Sequence, residues 1–288
     1  MSIVTRFAPS PTGPLHLGHA FSALTAWDRA QAAGGTFLLR IEDIDRPRCK
    51  PEWEAQIHDD LHWLGLDWPE PVMRQSERMG AYRAAIDRLA GMGLIYPCRC
   101  RRGDIRAALS APQEGMEPVM GPDGPVYPGT CRGRRMDAAG PEDALRLNMK
   151  AALEYLGDAP ICYEETAQRQ VAEPAMTPVE MRSGIGDVVL ARRDIGTSYH
   201  VAVVVDDAAQ GITEVVRGAD LAPATFIHVL LQRLLGLPTP RYHHHRLVRD
   251  AAGKRLAKRD DARAIARYRA DGATPADIRA MVGRHASG

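Results

Sequence analysis

No stretch of the 288-residue sequence reaches the roughly 18 consecutive apolar residues that a membrane-crossing helix requires. The opening MSIVTRFAPS has no basic segment followed by an apolar one, so no secretory signal is read there. Cysteine is scarce and odd in number. Five cysteines in a chain of this length argue against a disulfide framework and for a reducing compartment, so a cytoplasmic location with no membrane partner is expected. Charge of one sign is also lacking: 37 Lys and Arg face 36 Asp and Glu, so the whole molecule is not a polycation. What remains, 45% hydrophobic and 25% charged residues, is ordinary globular composition for one large or two modest domains.

The positive charge is unevenly placed. Between Arg241 and Arg269 ten Lys and Arg outnumber Asp250, Asp260 and Asp261, and smaller clusters lie at Arg99, Arg101, Arg102 and Arg106 and at Arg132, Arg134 and Arg135. Each alone reads as a solvated face; three in a near-neutral chain favour a phosphate-binding surface.

Strand and helix signals alternate at the start. SIVTRFAP reads as a strand closed by Pro9, and HAFSALTAWDRAQAAGG as a helix ending at Gly34-Gly35. TFLLRIED reads as a buried strand, with a helix after Pro51; strand, helix, strand, helix over 65 residues is the pattern of a parallel sheet. AYRAAIDRLAGMG gives a further helix, after which the regular pattern dissolves from about 103 to 183 into an insertion or set of loops outside the core. DVVLARRD, SYHVAVVVDD and ITEVVRG read as strands, ATFIHVLLQRLLGL as a helix, and a basic loop with a helical tail closes the chain. The expected units are 1–96 and 184–240 as two halves of a Rossmann-type α/β domain, 97–183 as an insertion, and 241–288 as the loop and tail.

The turn RFAPSPTGPLHLGH joins the first strand to the first helix. Free N–H groups and the helix dipole make such a junction an anion site, and Gly13 and Gly18 allow close approach to the backbone. His16 and His19, three apart, share a face and could hold phosphate oxygens; the alternative is that they cap the helix. Neither a P-loop lysine nor a GxGxxG fingerprint is present. Far along the chain, AAGKRLAKRDDA offers Lys254, Arg255, Lys258 and Arg259 on a loop begun by glycine.

HLGH with RLAKR resembles the paired HIGH and KMSKS signatures of class I aminoacyl-tRNA synthetases, which cradle ATP phosphates from two sides. RFAPSPTGPLHLGH, FLLRIEDID, VVVDDAAQGITEVVRGADL and GKRLAKR resemble glutamyl-tRNA synthetase text across residues 6–259. The sequence stops about thirty residues after RLAKR, where a full glutamyl enzyme would continue into an anticodon-binding region. The short relatives of that kind are the glutamyl-queuosine tRNA(Asp) synthetases, which place glutamate on the queuosine base of the anticodon. The resemblance therefore implies ATP with Mg2+, L-glutamate and queuosine-bearing tRNA(Asp) as partners of a monomeric ligase, with glutamate activated before any tRNA binds.

It also implies roles for residues. His16, Gly18, His19 and Lys258 would hold ATP, with His16, His19 and Lys258 catalytic. Arg6, Phe7, Ala8, Pro9, Ser10, Glu42, Tyr199 and Arg217 would surround glutamate. The chemistry agrees: arginine suits a carboxylate bidentately and Glu42 an ammonium. The bland alternatives are a strand-end salt bridge for Arg6 and a core tyrosine for Tyr199. Ala257 and Arg255 replace the family's usual serine and lysine, so a hydroxyl contact is lost while charge persists. Cys98, Cys100, Tyr127 and Cys131 match the family's structural zinc pattern, with Cys162 the substitute for Tyr127. Asp206 and Asp207, at a presumed strand end, would cap a turn or meet a metal. The consecutive His243, His244 and His245 alternate faces, which argues against a ligand set, and are read as lining the nucleotide side.

Overall fold

The computed structural model describes residues 2–109, 118–167, 172–248 and 263–283. Its first half runs β1 (Val4–Phe7), α1 (Leu17–Ala32), β2 (Thr36–Ile41), α2 (Pro51–Trp63), β3 (Met73–Arg74), α3 (Met79–Gly91), β4 (Ile95–Cys98) and α4 (Arg102–Leu109). A middle part follows with β5 (Met120–Gly121), β6 (Gly124–Pro125), β7 (Ala144–Leu147), α5 (Met149–Tyr155), β8 (Ile161–Cys162), β9 (Ala175–Met176), α6 (Pro178–Glu180) and β10 (Val189–Ala191). The remainder is α7 (Tyr199–Ala209), β11 (Glu214–Gly218), α8 (Ala222–Leu235), β12 (Arg241–His245), α9 (Ile265–Ala270) and α10 (Pro275–Met281).

β1, β2 and β3 pair in parallel, as do β11 and β12. The two groups meet where the Thr213 N–H donates to the Val4 carbonyl at 3.0 Å and the Val4 N–H to Thr213 Oγ1 at 2.8 Å. β11 thus lies beside β1 and the chain reverses its direction of travel across the sheet there, the switch point at which open α/β sheets bind ligands beyond their strand ends. α1 buries Leu17, Phe21 and Leu24 on one face of the sheet. The return to β2 requires Gly35, because a Cβ there would lie 2.0 Å from the Ile3 carbonyl oxygen, close to where Thr36 begins the strand pairing.

Two expectations need correction. SYHVAVVVDD is not a strand: Tyr199–Ala209 is helix α7. Its valines do favour strands, but Val201, Val203 and Val204 are buried together between α3 and α8, and burial on several sides overrides that preference. Nor does the 103–183 segment lie wholly outside the core. β4, β7 and β10 form an antiparallel sheet, and Leu147, Met149, Leu153 and Met181 are completely or almost completely buried in the main apolar cluster. The helical tail is present as α9 and α10. Among the described residues no helix is long and apolar enough to cross a membrane.

Candidate active site

HLGH occupies the N-terminus of α1. His16 is the N-cap: its Nδ1 accepts from the Gly18 N–H at 3.1 Å, while His19 Nδ1 accepts from the His16 N–H at 3.2 Å. The two rings stack with centroids 3.8 Å apart. The capping alternative therefore holds at Nδ1 of both rings, and the cap itself fixes the pair at the helix's positive end. Lys258, like Lys254, Arg255, Ala257 and Arg259, lies outside the described residues. The flanks of that loop are placed: Val248 packs in the same apolar cluster as Leu15 and Leu17, and the Ile265 N–H donates to the Leu15 carbonyl at 2.9 Å. The C-terminal flank is thus held beside HLGH, where Ala264 also bridges to His16.

Arg6 and Arg217, both expected to meet a carboxylate, sit in opposite electrostatic situations. Arg6, 4% exposed, already holds a carboxylate: its Nε and Nη2 donate to Asp207 at 2.9 and 3.3 Å, and its Nη1 to the Val216 carbonyl at 3.3 Å. Asp207 also accepts from Arg40 at 2.6 Å, and Arg40 reaches Glu42 at 3.1 Å. Two arginines and two carboxylates close a neutral cluster. Burial works to raise the Asp207 pKa, but the two guanidiniums outweigh it and hold the carboxyl below its ordinary value. At Glu42 burial wins over Arg40 and Arg6, and its pKa is raised. The salt-bridge alternative for Arg6 is met, although the bridge is buried. Asp207 and Asp206 sit on α7, not at a strand end; Asp206 accepts from Gln75, Arg78 and Tyr82.

Arg217, 5% exposed at the end of β11, has only neutral partners among the described residues. It donates to His244 Nε2 at 3.2 Å, Tyr199 Oη at 3.3 Å, Thr225 Oγ1 at 2.6 Å and the Leu221 carbonyl at 3.3 Å, and meets His228 Nδ1 at 3.1 Å. Burial, then the charge of Arg217, holds the His228 pKa well below its usual value, so that ring is neutral. Among the described residues no carboxylate pairs with Arg217; Glu165 is reached only through His244.

A cavity of about 390 Å³ opens beside these groups, lined among others by Ser10, Thr12, Glu42, Arg192, Ser198, Tyr199 and His200. The Glu42 N–H donates to the Pro9 carbonyl at 3.0 Å, which brings the RFAPS turn and the end of β2 to one wall. Phe7 is buried at the end of β1, Ala8 is half-buried, and neither lines the cavity. Among the described residues the hydroxyl of Ser198, 6% exposed, has no hydrogen-bond partner; it sits at the N-terminus of α7, an unspent polar group on the cavity wall. The three histidines of β12 separate as their alternation dictates. His244 goes to Arg217 and Glu165, His243 to Thr166, and His245 to Ser22 on α1. His243 and His245 share the face toward α1, where His243 lies near Arg29 and His245 near Phe21, and only His244 turns away, so the reading of all three on the nucleotide side is corrected at His244.

Cys98, Cys100 and Cys131 bring their sulfurs within 4.8 Å of one another. Cys100 and Cys131 are 3.6 Å apart, and Tyr127 Oη is 3.4 Å from both Cys98 and Cys100. A tetrahedral zinc with Zn–S near 2.3 Å spaces its sulfurs about 3.8 Å apart, so the donor set fits that ion. Cys162 is elsewhere, accepting from Arg233, and cannot replace Tyr127. Burial opposes ionisation of Cys131, yet hydrogen bonds from Tyr127 and the Arg99 N–H bring its thiol down to about 7. Arg146 was not foreseen: it donates to Cys98 at 3.4 Å and lies 3.9 Å over the Tyr127 ring, placing positive charge beside the cluster. Arg40 was missed as well, though an arginine inside the apolar strand FLLRIED signals a buried ionic partner.

A Rossmann-type sheet with a paired-histidine helix start and a signature-loop anchor beside it defines a class I synthetase catalytic domain. The chain belongs to the family of tRNA synthetases class I (E and Q), catalytic domain, whose model matches residues 2–287. It is 61% identical over 284 residues to the glutamyl-Q tRNA(Asp) synthetase of Rhodobacter capsulatus, covering 98% of this chain and 100% of that protein. The protein of the same name from Symbiobacterium thermophilum is 42% identical over 287 residues, covering 95% of this chain and 83% of that one. Among solved structures, a glutamate tRNA ligase from Elizabethkingia meningosepticum in complex with its amino acid superposes with a TM-score of 0.74 at 27% identity over 98% of this chain. The chain spans 60% of that structure's length.

Proposed function

We propose that the chain is a ligase that activates L-glutamate with ATP, without tRNA, and transfers it to the queuosine base of tRNA(Asp). The observation that carries the amino-acid half is Arg217, a buried guanidinium with no carboxylate among the described residues, joined by Tyr199 to the cavity wall that holds Glu42. A buried charge without a counter-ion is costly, and a substrate carboxylate supplies the missing partner. Glu42 receives the ammonium, the unpartnered Ser198 hydroxyl adds a donor, and Arg6 contributes as part of its neutral cluster. Because Asp207 already holds Arg6, Arg217 is the principal carboxylate receptor.

In the activation step a carboxylate oxygen of glutamate bonds to the α-phosphorus of Mg2+-bound ATP and the bond to pyrophosphate breaks. His16, His19 and the α1 N-terminus stabilise charge on the phosphate oxygens, and Lys258 adds the charge that the family's signature implies. In the transfer step a hydroxyl of the base attacks the glutamyl carbonyl and AMP leaves. Cys98, Cys100, Tyr127 and Cys131 would hold zinc in a structural part, which would tie β4 to the segment before β7. The RNA half rests on the names of the relatives. A monomer in the cytoplasm accords with this reading.

The test is acceptor choice. Labelled glutamate should move to tRNA(Asp) carrying queuosine and not to tRNA(Asp) lacking it, and pyrophosphate exchange should need glutamate but no tRNA. Equal charging of tRNA lacking queuosine, or of tRNA(Glu), would make the enzyme a 3′-end synthetase and overturn the proposal.

A further inference from the structure

The turn between β5 and β6 carries Asp123 onto the wall of the amino-acid cavity. This hairpin belongs to the segment between the zinc ligands, to which the activation chemistry assigns no part. Its seat is specific: a Cβ at Gly121 would lie 2.7 Å from the Gly184 carbonyl oxygen, so the two backbones touch where any other residue would hold them apart. From that seat Asp123 Oδ2 meets His200 Nε2 at 2.8 Å, His200 Nδ1 meets His228 Nε2 at 3.1 Å, and His228 Nδ1 meets Arg217 Nη1 at 3.1 Å.

The direction of every proton in this chain follows from one end. A guanidinium has donors and no acceptor, so His228 Nδ1 must accept and its proton sits on Nε2. His200 Nδ1 then accepts from His228, and the Nε2–H of His200 donates to the Asp123 carboxylate. The carboxylate at the far end favours the same order, so the hydrogen bonds reinforce one another. Burial works to raise the Asp123 pKa, and the contact with His200 outweighs it and holds the carboxyl below its ordinary value.

We propose that Asp123, His200 and His228 form a positioning relay through which the β5–β6 hairpin holds Arg217 for the substrate carboxylate. The relay places a negative charge three hydrogen bonds away, close enough to orient the guanidinium and too far to neutralise it as Asp207 neutralises Arg6. It rests on the reading of Arg217 as the glutamate receptor. None of the three need touch glutamate.

Calorimetric titration of the full chain with glutamate, and separately with ATP, tests this without requiring turnover. Asp123→Ala should weaken glutamate binding about tenfold, the scale of one charge-assisted hydrogen bond, and leave ATP binding unchanged. Asp123→Asn keeps an oxygen that accepts from His200 but removes the charge, and its affinity should fall between those of the parent and Asp123→Ala. Gly121→Val, which displaces the hairpin without altering a relay side chain, should behave as Asp123→Ala. Nitrogen-15 shifts should report the Nε2–H tautomer at His200 and His228 in the parent protein; the Nδ1–H tautomer at His228 would overturn the order of the relay. Arg217→Lys separates the two ideas. If Arg217→Lys loses glutamate affinity while Asp123→Ala binds as the parent does, the relay is wrong and the receptor stands. If Arg217→Lys binds glutamate normally, the receptor reading falls and the relay with it. Equal losses of glutamate and ATP affinity in Asp123→Ala would show a general structural role and overturn the proposal.

Discussion

Replacing each of the two expected carboxylate receptors by methionine, which keeps most of the length and removes the charge, should affect binding and stability in opposite proportions. Arg217→Met removes a buried cation with no counter-ion among the described residues. The hydrogen bonds lost to His244, Thr225 and His228 are offset by relief of the cation's desolvation, so unfolding free energy without ligand should change by no more than about 1 kcal/mol. Glutamate, deprived of its charge partner, should lose about 3 kcal/mol of binding, or about a hundredfold in Kd. Arg6→Met leaves Asp207 buried with Arg40 as its only remaining guanidinium. Breaking half of that cluster should cost about 3 kcal/mol of stability. The assay is urea unfolding at several glutamate concentrations. In the parent, ligand should raise stability by about 2.7 kcal/mol at a hundred times Kd, and in Arg217→Met at the same concentration by less than about 0.5. The reasoning fails if Arg217→Met unfolds as easily as Arg6→Met without glutamate, or keeps the ligand-dependent increment.

Two further perturbations probe other parts of the molecule. The purified parent should carry about one zinc per chain, and Cys131→Ser should lower metal content and thermal stability together; metal loss without a change in unfolding would remove the structural role. Asp60 is completely buried, both its oxygens lack a hydrogen-bond partner among the described residues, and burial, then the charge of Asp59, pushes its pKa up to about 6. A carboxyl whose folded pKa is raised above its unfolded value favours the fold while protonated and loses that advantage as pH rises through 4 to 6. Asp60→Asn should therefore gain about 1–2 kcal/mol relative to the parent on going from pH 4 to pH 8, after allowance for solvent screening. A difference independent of pH across that range would refute the assignment.

Signals of short range in the chain were legible in the sequence. His16 and His19 are one helical turn apart, so their stacking at the start of α1 follows from spacing alone. The Pro9 and Gly34-Gly35 punctuation marked true element ends, whereas the meeting of Cys98, Cys100 and Cys131 was implied by the family resemblance and their sulfurs do lie within 4.8 Å of one another. β-Branched valines misled where propensity met burial: α7 is a helix because α3 and α8 enclose it, and no local signal in VAVVV says so.

What only the tertiary structure decided is which charges meet. Arg6 and Asp207 are 201 residues apart, and the choice between binding substrate and binding Asp207 depends on the fold bringing Asp207 of α7 to Arg6 of β1. Asp123 reaches His200 across 77 residues because two glycine backbones touch at the hairpin's base. Residue type fixes what an arginine or histidine can donate or accept, and the sequence states that without a fold. Whether its counter-charge is a neighbour, a substrate or a relay of imidazoles depends on distances of a few ångströms between segments far apart in the chain, and packing sets those distances.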